Sequence, residues 1–177
     1  MITHRLAETA DLERIADLHM RSWQLAYRGI LRDDYLDKAI GPDRLALWGD
    51  RFANPAPNQR ILVAEEAGNL LGFICLFLDD DSVRGTLIDN LHVDPALKGQ
   101  GIGSGLMHEA TRRFIPEASS SGFYLGVYEA NVPAIYFYER MGGTCLGRAL
   151  YDTPGGGQAL ILWYGWPTGL QLPTGIR

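Results

Sequence analysis

Leu91-His92-Val93-Asp94-Pro95-Ala96-Leu97-Lys98-Gly99-Gln100-Gly101-Ile102-Gly103-Ser104-Gly105 decides how this chain is read. An apolar strand ends at Asp94-Pro95, a glycine-rich turn follows, and a helix opens behind it. Glycines reach backbone conformations closed to other residues, so successive N–H groups can converge on one point. The helix N-terminus adds partial positive charge there. Together they suit a pyrophosphate. Two familiar phosphate frames fail. A dinucleotide fingerprint counted from Gly99 meets Ser104 where its third glycine belongs, and counted from Gly101 it meets Leu106. No Gly-Lys-Ser or Gly-Lys-Thr occurs, which excludes a Walker loop. Four glycines between 99 and 105 exceed what a tight turn requires.

Working outward, residues 60–66 and 70–78 read as strands of a hairpin around Gly68-Asn69. Residues 79–82 read as a solvated turn and 86–93 as a third strand. The helix after the glycines spans about residues 101–114 and stops at Pro116. A strand at 123–128, a helix at 131–141 closed by Gly142-Gly143, and strands at 144–150 and 159–164 follow. At the front, a short strand at 3–7 precedes a helix with Thr9 as N-cap. Leu12, Ile15, Ala16, His19, Trp23, Ala26 and Tyr27 recur at helical spacing until Gly29. Two shorter helices are expected at 33–40 and 42–52, and an irregular tail from Trp166. The order predicts an α+β (mixed α/β) fold in one domain, 1–177. Its motif-bearing core spans about 60–150, behind a helical region at 1–55.

Asn131, Ala134 and Tyr138 are spaced to share one helix face. With the glycine-rich turn, they carry a resemblance. The stretch 91–103 resembles the acetyl-CoA-binding segment of the GCN5-related N-acetyltransferase (GNAT) family. That pattern is Arg or Gln, two residues, Gly, one residue, Gly or Ala. Gly101 and Gly103 match, and Lys98 replaces the usual Arg or Gln. The run 131–142 is similar to the family's second signature: Asn, two residues, Ala, three residues, Tyr, three residues, Gly. Gly143 replaces the aromatic that usually follows.

The resemblance implies a mostly antiparallel twisted sheet of about seven strands, helices on both faces, and a splayed strand pair holding acetyl-CoA. It implies main-chain contacts from Leu91 and Val93, with His92 between them, to the acetyl and pantetheine groups. A pyrophosphate cradle from Lys98, Gly99, Gln100, Gly101, Gly103 and Ser104 is also implied. Asn131 and Ala134 would line the pantetheine arm. Tyr138 would donate a proton to the departing thiolate. The implied reaction is acetyl transfer to a primary amine by direct attack in a ternary complex.

The amine must lose a proton, and Asp89, Glu129 and His92 are the candidates to take it. Asp89 is in phase with Leu91 and Val93 on a regular strand, so a water path ending at Asp89 is expected. Trp23 and Tyr27, one helical turn apart, read as core or as an aromatic wall for the acceptor. The stretch 22–31 is similar to that of a GNAT subgroup in which this region borders the acceptor pocket. Rival readings are a non-catalytic acetyl-CoA sensor, a nucleotide-phosphate module and a protein N-terminal acetyltransferase.

Composition sets the remaining bounds. The 177 residues carry a net charge of −5, which argues against a nucleic-acid partner. The four histidines have no metal-ligand spacing, so no metal is expected. Cys75 and Cys145 lie in apolar segments and read as buried free thiols. No apolar run is long enough to cross a membrane. A cytoplasmic enzyme acting on a small-molecule or peptide amine is the expectation, and a homodimer is compatible with it.

Overall fold

In the computed structural model, residues 1–120 and 122–167 are described; the irregular tail expected from Trp166 lies outside them beyond residue 167. Seven strands form one sheet: β1 Thr3–Leu6, β2 Gln59–Glu66, β3 Asn69–Asp81, β4 Gly85–Val93, β5 Phe123–Tyr128, β6 Thr144–Asp152 and β7 Gln158–Trp166. Their order is β1-β2-β3-β4-β5-β7-β6. Every neighbouring pair is antiparallel except β4 and β5. That parallel step needs a crossover, supplied by helix α3, Ile102–Phe114.

Helices α1 (Leu12–Ala26) and α2 (Ile40–Ala53) cover one face; α3 and α4 (Val132–Arg140) cover the other. Leu62, Ala64, Ile74 and Leu76 point toward α3. Ile61, Val63, Phe73 and Cys75 point toward α1 and α2. Both faces are therefore buried, which explains why these strands read as continuous apolar runs. Their hairpin turns through Ala67 and Gly68, both at positive φ, so Asn69 belongs to the strand.

Four local expectations change. Thr9 does not cap α1; a 3₁₀ turn at Thr9–Asp11 precedes it, and the Asp11 carboxylate accepts the Glu8 amide at 2.9 Å. The break expected near Pro42 is absent. A π-helical turn at Tyr35–Ala39 leads straight into α2, with the Ile40 N–H bonded to the Tyr35 carbonyl. Widening the turn accommodates a proline ring that would otherwise strike the preceding turn. The acidic run 79–81 belongs to β3 instead of a simple turn. Asp79 accepts the Ser119 and Ser120 amides, and Asp81 accepts those of Val83 and Arg84. Cys75 is buried as expected, whereas Cys145 is exposed on β6.

Candidate active site

The parallel pairing of β4 with β5 lasts for only two positions, Thr86 with Phe123 and Leu87 with Tyr124. Beyond them the strands separate. β4 remains paired to β3, and β5 to β7, so the facing edges have no strand partner. A cavity of ≈ 610 Å³ fills this gap. It is bounded by β4, β5, the loop before α3, the inner side of α4, and the C-terminal half of α1.

The loop forms one end. Gly99 and Gly101 adopt φ of 80° and 82°, the left-handed region that favours glycine. Gly101 is the N-cap of α3, and the first helical bond runs from the Gly105 N–H to its carbonyl at 2.9 Å. The amides of Ile102, Gly103 and Ser104 thus precede the helical ladder and remain available as donors. Lys98, Gly99, Gly101, Gly103 and Ser104 all border the cavity; Gln100 is exposed and does not. The Ser104 hydroxyl donates to the Gly101 carbonyl at 2.9 Å, so its backbone amide is the free donor. Gly105 serves packing instead. A Cβ there would lie 3.4 Å from His4 Nε2, so this glycine lets α3 approach β1.

Helix α4 forms the side wall. Asn131 occupies its N-cap position but makes no capping bond, leaving its side chain free at the cavity with Ala134 nearby. Tyr138 borders the same space. Its ring packs edge-on to Phe137 and Trp166, at 5.3 and 6.2 Å between centroids. Burial pushes its phenol up to about 12, so the hydroxyl holds its proton at neutral pH. Tyr136 touches the rim but is largely exposed.

The opposite end is built by α1. Trp23 and Tyr27 border the cavity, 5.1 Å apart, and Tyr27 meets Tyr128 of β5 edge-on at 4.9 Å. Arg44 of α2 lies over the Trp23 ring at 4.5 Å. Trp23 and Tyr27 are therefore half core and half wall.

Asp89 is not in phase with Leu91 and Val93. The pairing of β3 with β4 skips it: Leu76 faces Ile88 and Cys75 faces Asn90. This bulge turns the Asp89 carboxylate toward α2, where Arg51 Nη1 lies 2.7 Å away. Arg51 also contacts Asn90 and Cys75 and stacks near Trp48. Asp89 still touches the cavity, but as one half of an ion pair. Glu129 is half-exposed, faces Arg148 at 3.6 Å, and is not part of the wall. His92 does reach the cavity. Burial, then the charges of Lys98 and Arg44, push it down to about 3, so the ring is neutral.

Tyr128 and Arg51 escape sequence reasoning, and Ser22 enters it only as the first residue of the stretch 22–31. A signal existed for Ser22, which falls on the buried stripe of α1 with Ile15 and His19. None existed for Arg51, whose reach depends on the bulge.

The arrangement offers unpaired donors at one end, a protonated phenol midway, and an aromatic chamber at the other. Residues 12–143 match the model of the acetyltransferase (GNAT) family. The chain belongs to the GNAT family. It is 37% identical over 130 residues to streptothricin acetyltransferase of Streptomyces lavendulae, covering 72% of this chain and 68% of that one. The nourseothricin acetyltransferase structure matches with a TM-score of 0.67 at 25% identity, over 94% of this chain and 98% of that one. The PaiA N-acetyltransferase of Thermoplasma acidophilum, solved with coenzyme A, shares the fold with a TM-score of 0.67 at 23% identity. That match covers 92% of this chain and 98% of that one. As a GNAT protein this chain is an N-acetyltransferase with the α+β architecture of its relatives. Among the described residues no helix is long and apolar enough to cross a membrane.

Proposed function

We propose that the chain moves an acetyl group from acetyl-CoA to a primary amine by direct attack in a ternary complex. The carrying observation is the gap between β4 and β5, which opens onto left-handed Gly99 and Gly101 and passes the unbonded Tyr138 hydroxyl. A pyrophosphate suits the loop, because the free amides of 102–104 and the α3 N-terminus supply donors and positive potential. Lys98 adds a cation at the rim. The pantetheine arm, extended and amide-bearing, suits the unpaired edges of β4 and β5, with Asn131 alongside. Acetyl-CoA supplies an activated thioester when bound.

The protein's part is placement and proton handling. Main-chain groups near Leu91 and Val93 lie along the gap and orient the thioester by hydrogen bonding. The Tyr138 phenol gives its proton to the leaving sulfur, a role suited to a group that holds that proton well above neutral pH. The amine enters from α1, between Trp23, Tyr27 and Tyr128. The streptothricin and nourseothricin acetyltransferases support a small molecule bearing a free amino group as the acceptor.

Thiol release from acetyl-CoA across an amine panel tests this reading. At least one primary amine is expected to stimulate release. Tyr138→Phe is expected to lower kcat by about 10²- to 10⁴-fold, the usual range for loss of a general acid. Undiminished turnover by that variant removes Tyr138 from the chemistry. ATP bound more tightly than CoA would sink the cofactor assignment.

A further inference from the structure

Two imidazoles stack beneath the acceptor end of the cavity. His19 of α1 and His92 of β4 face each other at 4.5 Å between centroids, with 29° between their planes. The Trp48 indole N–H donates to His19 Nδ1 at 3.0 Å, which puts the His19 proton on Nε2. Burial keeps that ring neutral as well. His92 Nδ1 lies 3.0 Å from Ser22 Oγ. His92 Nε2 has no partner among the described residues, and both His92 and Ser22 border the cavity.

Strand alternation gives His92 a side. Leu91 and Val93 pack into the core beneath α3, on the side of the glycine loop. His92 points the other way, opposite Phe73, whose ring is 5.4 Å distant. The resemblance groups all three residues with the cofactor. The geometry separates them and directs His92 toward α1.

The surrounding charges define what this ring can do. The charges acting on it are cations, Lys98 ahead of α3 and Arg44 on α2. The carboxylate of Asp89 is taken by Arg51, and His19 is a neutral ring. An imidazolium is disfavoured there, so His92 carries a single N–H and does not hold a second proton. It offers a lone pair instead. An attacking amine must aim its own lone pair at the carbonyl, and an acceptor for one N–H fixes that direction.

We propose that His92 Nε2 accepts a hydrogen bond from the acceptor amine. In that tautomer the Nδ1–H donates to Ser22 Oγ, 3.0 Å away, which holds the lone pair on Nε2. The amine proton itself leaves to water. This assignment rests on the acetyl-transfer reading and names its amine-orienting contact.

The test uses an amine that the wild-type chain acetylates. His92→Phe keeps a ring between His19 and Phe73 but removes the lone pair. It is expected to lower kcat/KM for the amine about 10- to 100-fold, the cost of losing a buried hydrogen bond in the transition state. KM for acetyl-CoA stays within about two-fold of wild type, because the loss lies on the amine side. His92→Gln returns a polar atom near the Nε2 position and recovers part of the loss; Ser22→Ala falls between wild type and His92→Phe. The acidic limb of the pH–rate profile is the same in wild type and His92→Gln. A second measurement avoids dependence on folding of the variants: the wild-type His92 Nε2 nitrogen resonance shifts when the amine joins a complex with CoA. The proposal is overturned if His92→Phe spares the amine kcat/KM, if the loss falls on KM for acetyl-CoA, if Gln does no better than Phe, or if the Nε2 resonance does not move. A wild-type chain that acetylates no amine overturns the transfer reading, and this contact with it.

Discussion

Around Ile61, Val63, Phe73 and Cys75 the sheet is sealed on both faces; along Thr144–Asp152 almost every side chain is exposed. The β1–β4 half has helices above and below and side chains with no solvent contact. The half made by β5, β7, β6 and α4 is more exposed: β6 lies almost wholly in solvent and α4 has no buried residue. The cavity lies where the two meet. A wall buried on both faces and a wall backed by the exposed β6 and α4 thus share the site. Stability is expected to belong mainly to the first, and the cavity opens beside the more exposed second.

That contrast can be broken. Phe73→Ala removes a fully buried ring that packs on Trp48 at 5.2 Å. It is expected to cost about 3–5 kcal/mol, read from urea melts. A loss below about 1 kcal/mol, the size of an ordinary surface effect, would erase the distinction between the halves.

Asp11 anchors the same half. It is 2% exposed and bonded to Arg5 Nη1 and Nη2 at 2.6 and 2.9 Å, while Arg5 also holds Glu65 on β2. Arg5, as hydrogen-bond donor, is the main cause that holds the Asp11 carboxyl below its usual range. Its contribution is therefore present above the unfolded value near 4 and is lost as pH falls through the lower folded value. Asp11→Ala is expected to cost about 2–3 kcal/mol, discounted because Arg5 is partly exposed. The variant should also show a weaker loss of stability below about pH 4 than wild type.

Gly101→Ala probes the junction. At φ 82° a side chain is strained by about 1–2 kcal/mol. The expected readout is weaker acetyl-CoA binding in calorimetry with a small change in Tm. Unchanged affinity would detach the loop from the cofactor. The smallest effect is expected on β6: Leu150→Ser, on a half-exposed side chain, should stay within about 0.5 kcal/mol of wild type. A larger loss would mean that the open half is covered by something further.

The loop and α4 positions that border the cavity are legible because they depend on short spacings. Gly101 and Gly103 and the Asn131–Ala134–Tyr138 face keep their geometry within one turn or one helix, so counting residues places them. The sheet is legible for a similar reason, since its strands read as apolar runs of strand length. Asp89 is misplaced by counting because one extra residue in β4 reverses the side-chain alternation, and nothing in the local sequence marks that bulge. Gly105 is grouped with the turn glycines by proximity in sequence, although its neighbour is His4, about a hundred residues earlier in the chain. Arg51 is invisible because its partners Cys75, Asp89 and Asn90 come from two other elements.

An amide-resolved NMR titration with acetyl-CoA tests the cofactor site most directly. The largest shifts are expected at the amides of Ile102, Gly103 and Ser104 and along the facing edges of β4 and β5, with Val63 and Phe73 scarcely moved. Shifts centred on β1–β3 or on β6, with the loop unchanged, would place the cofactor elsewhere and contradict the site described.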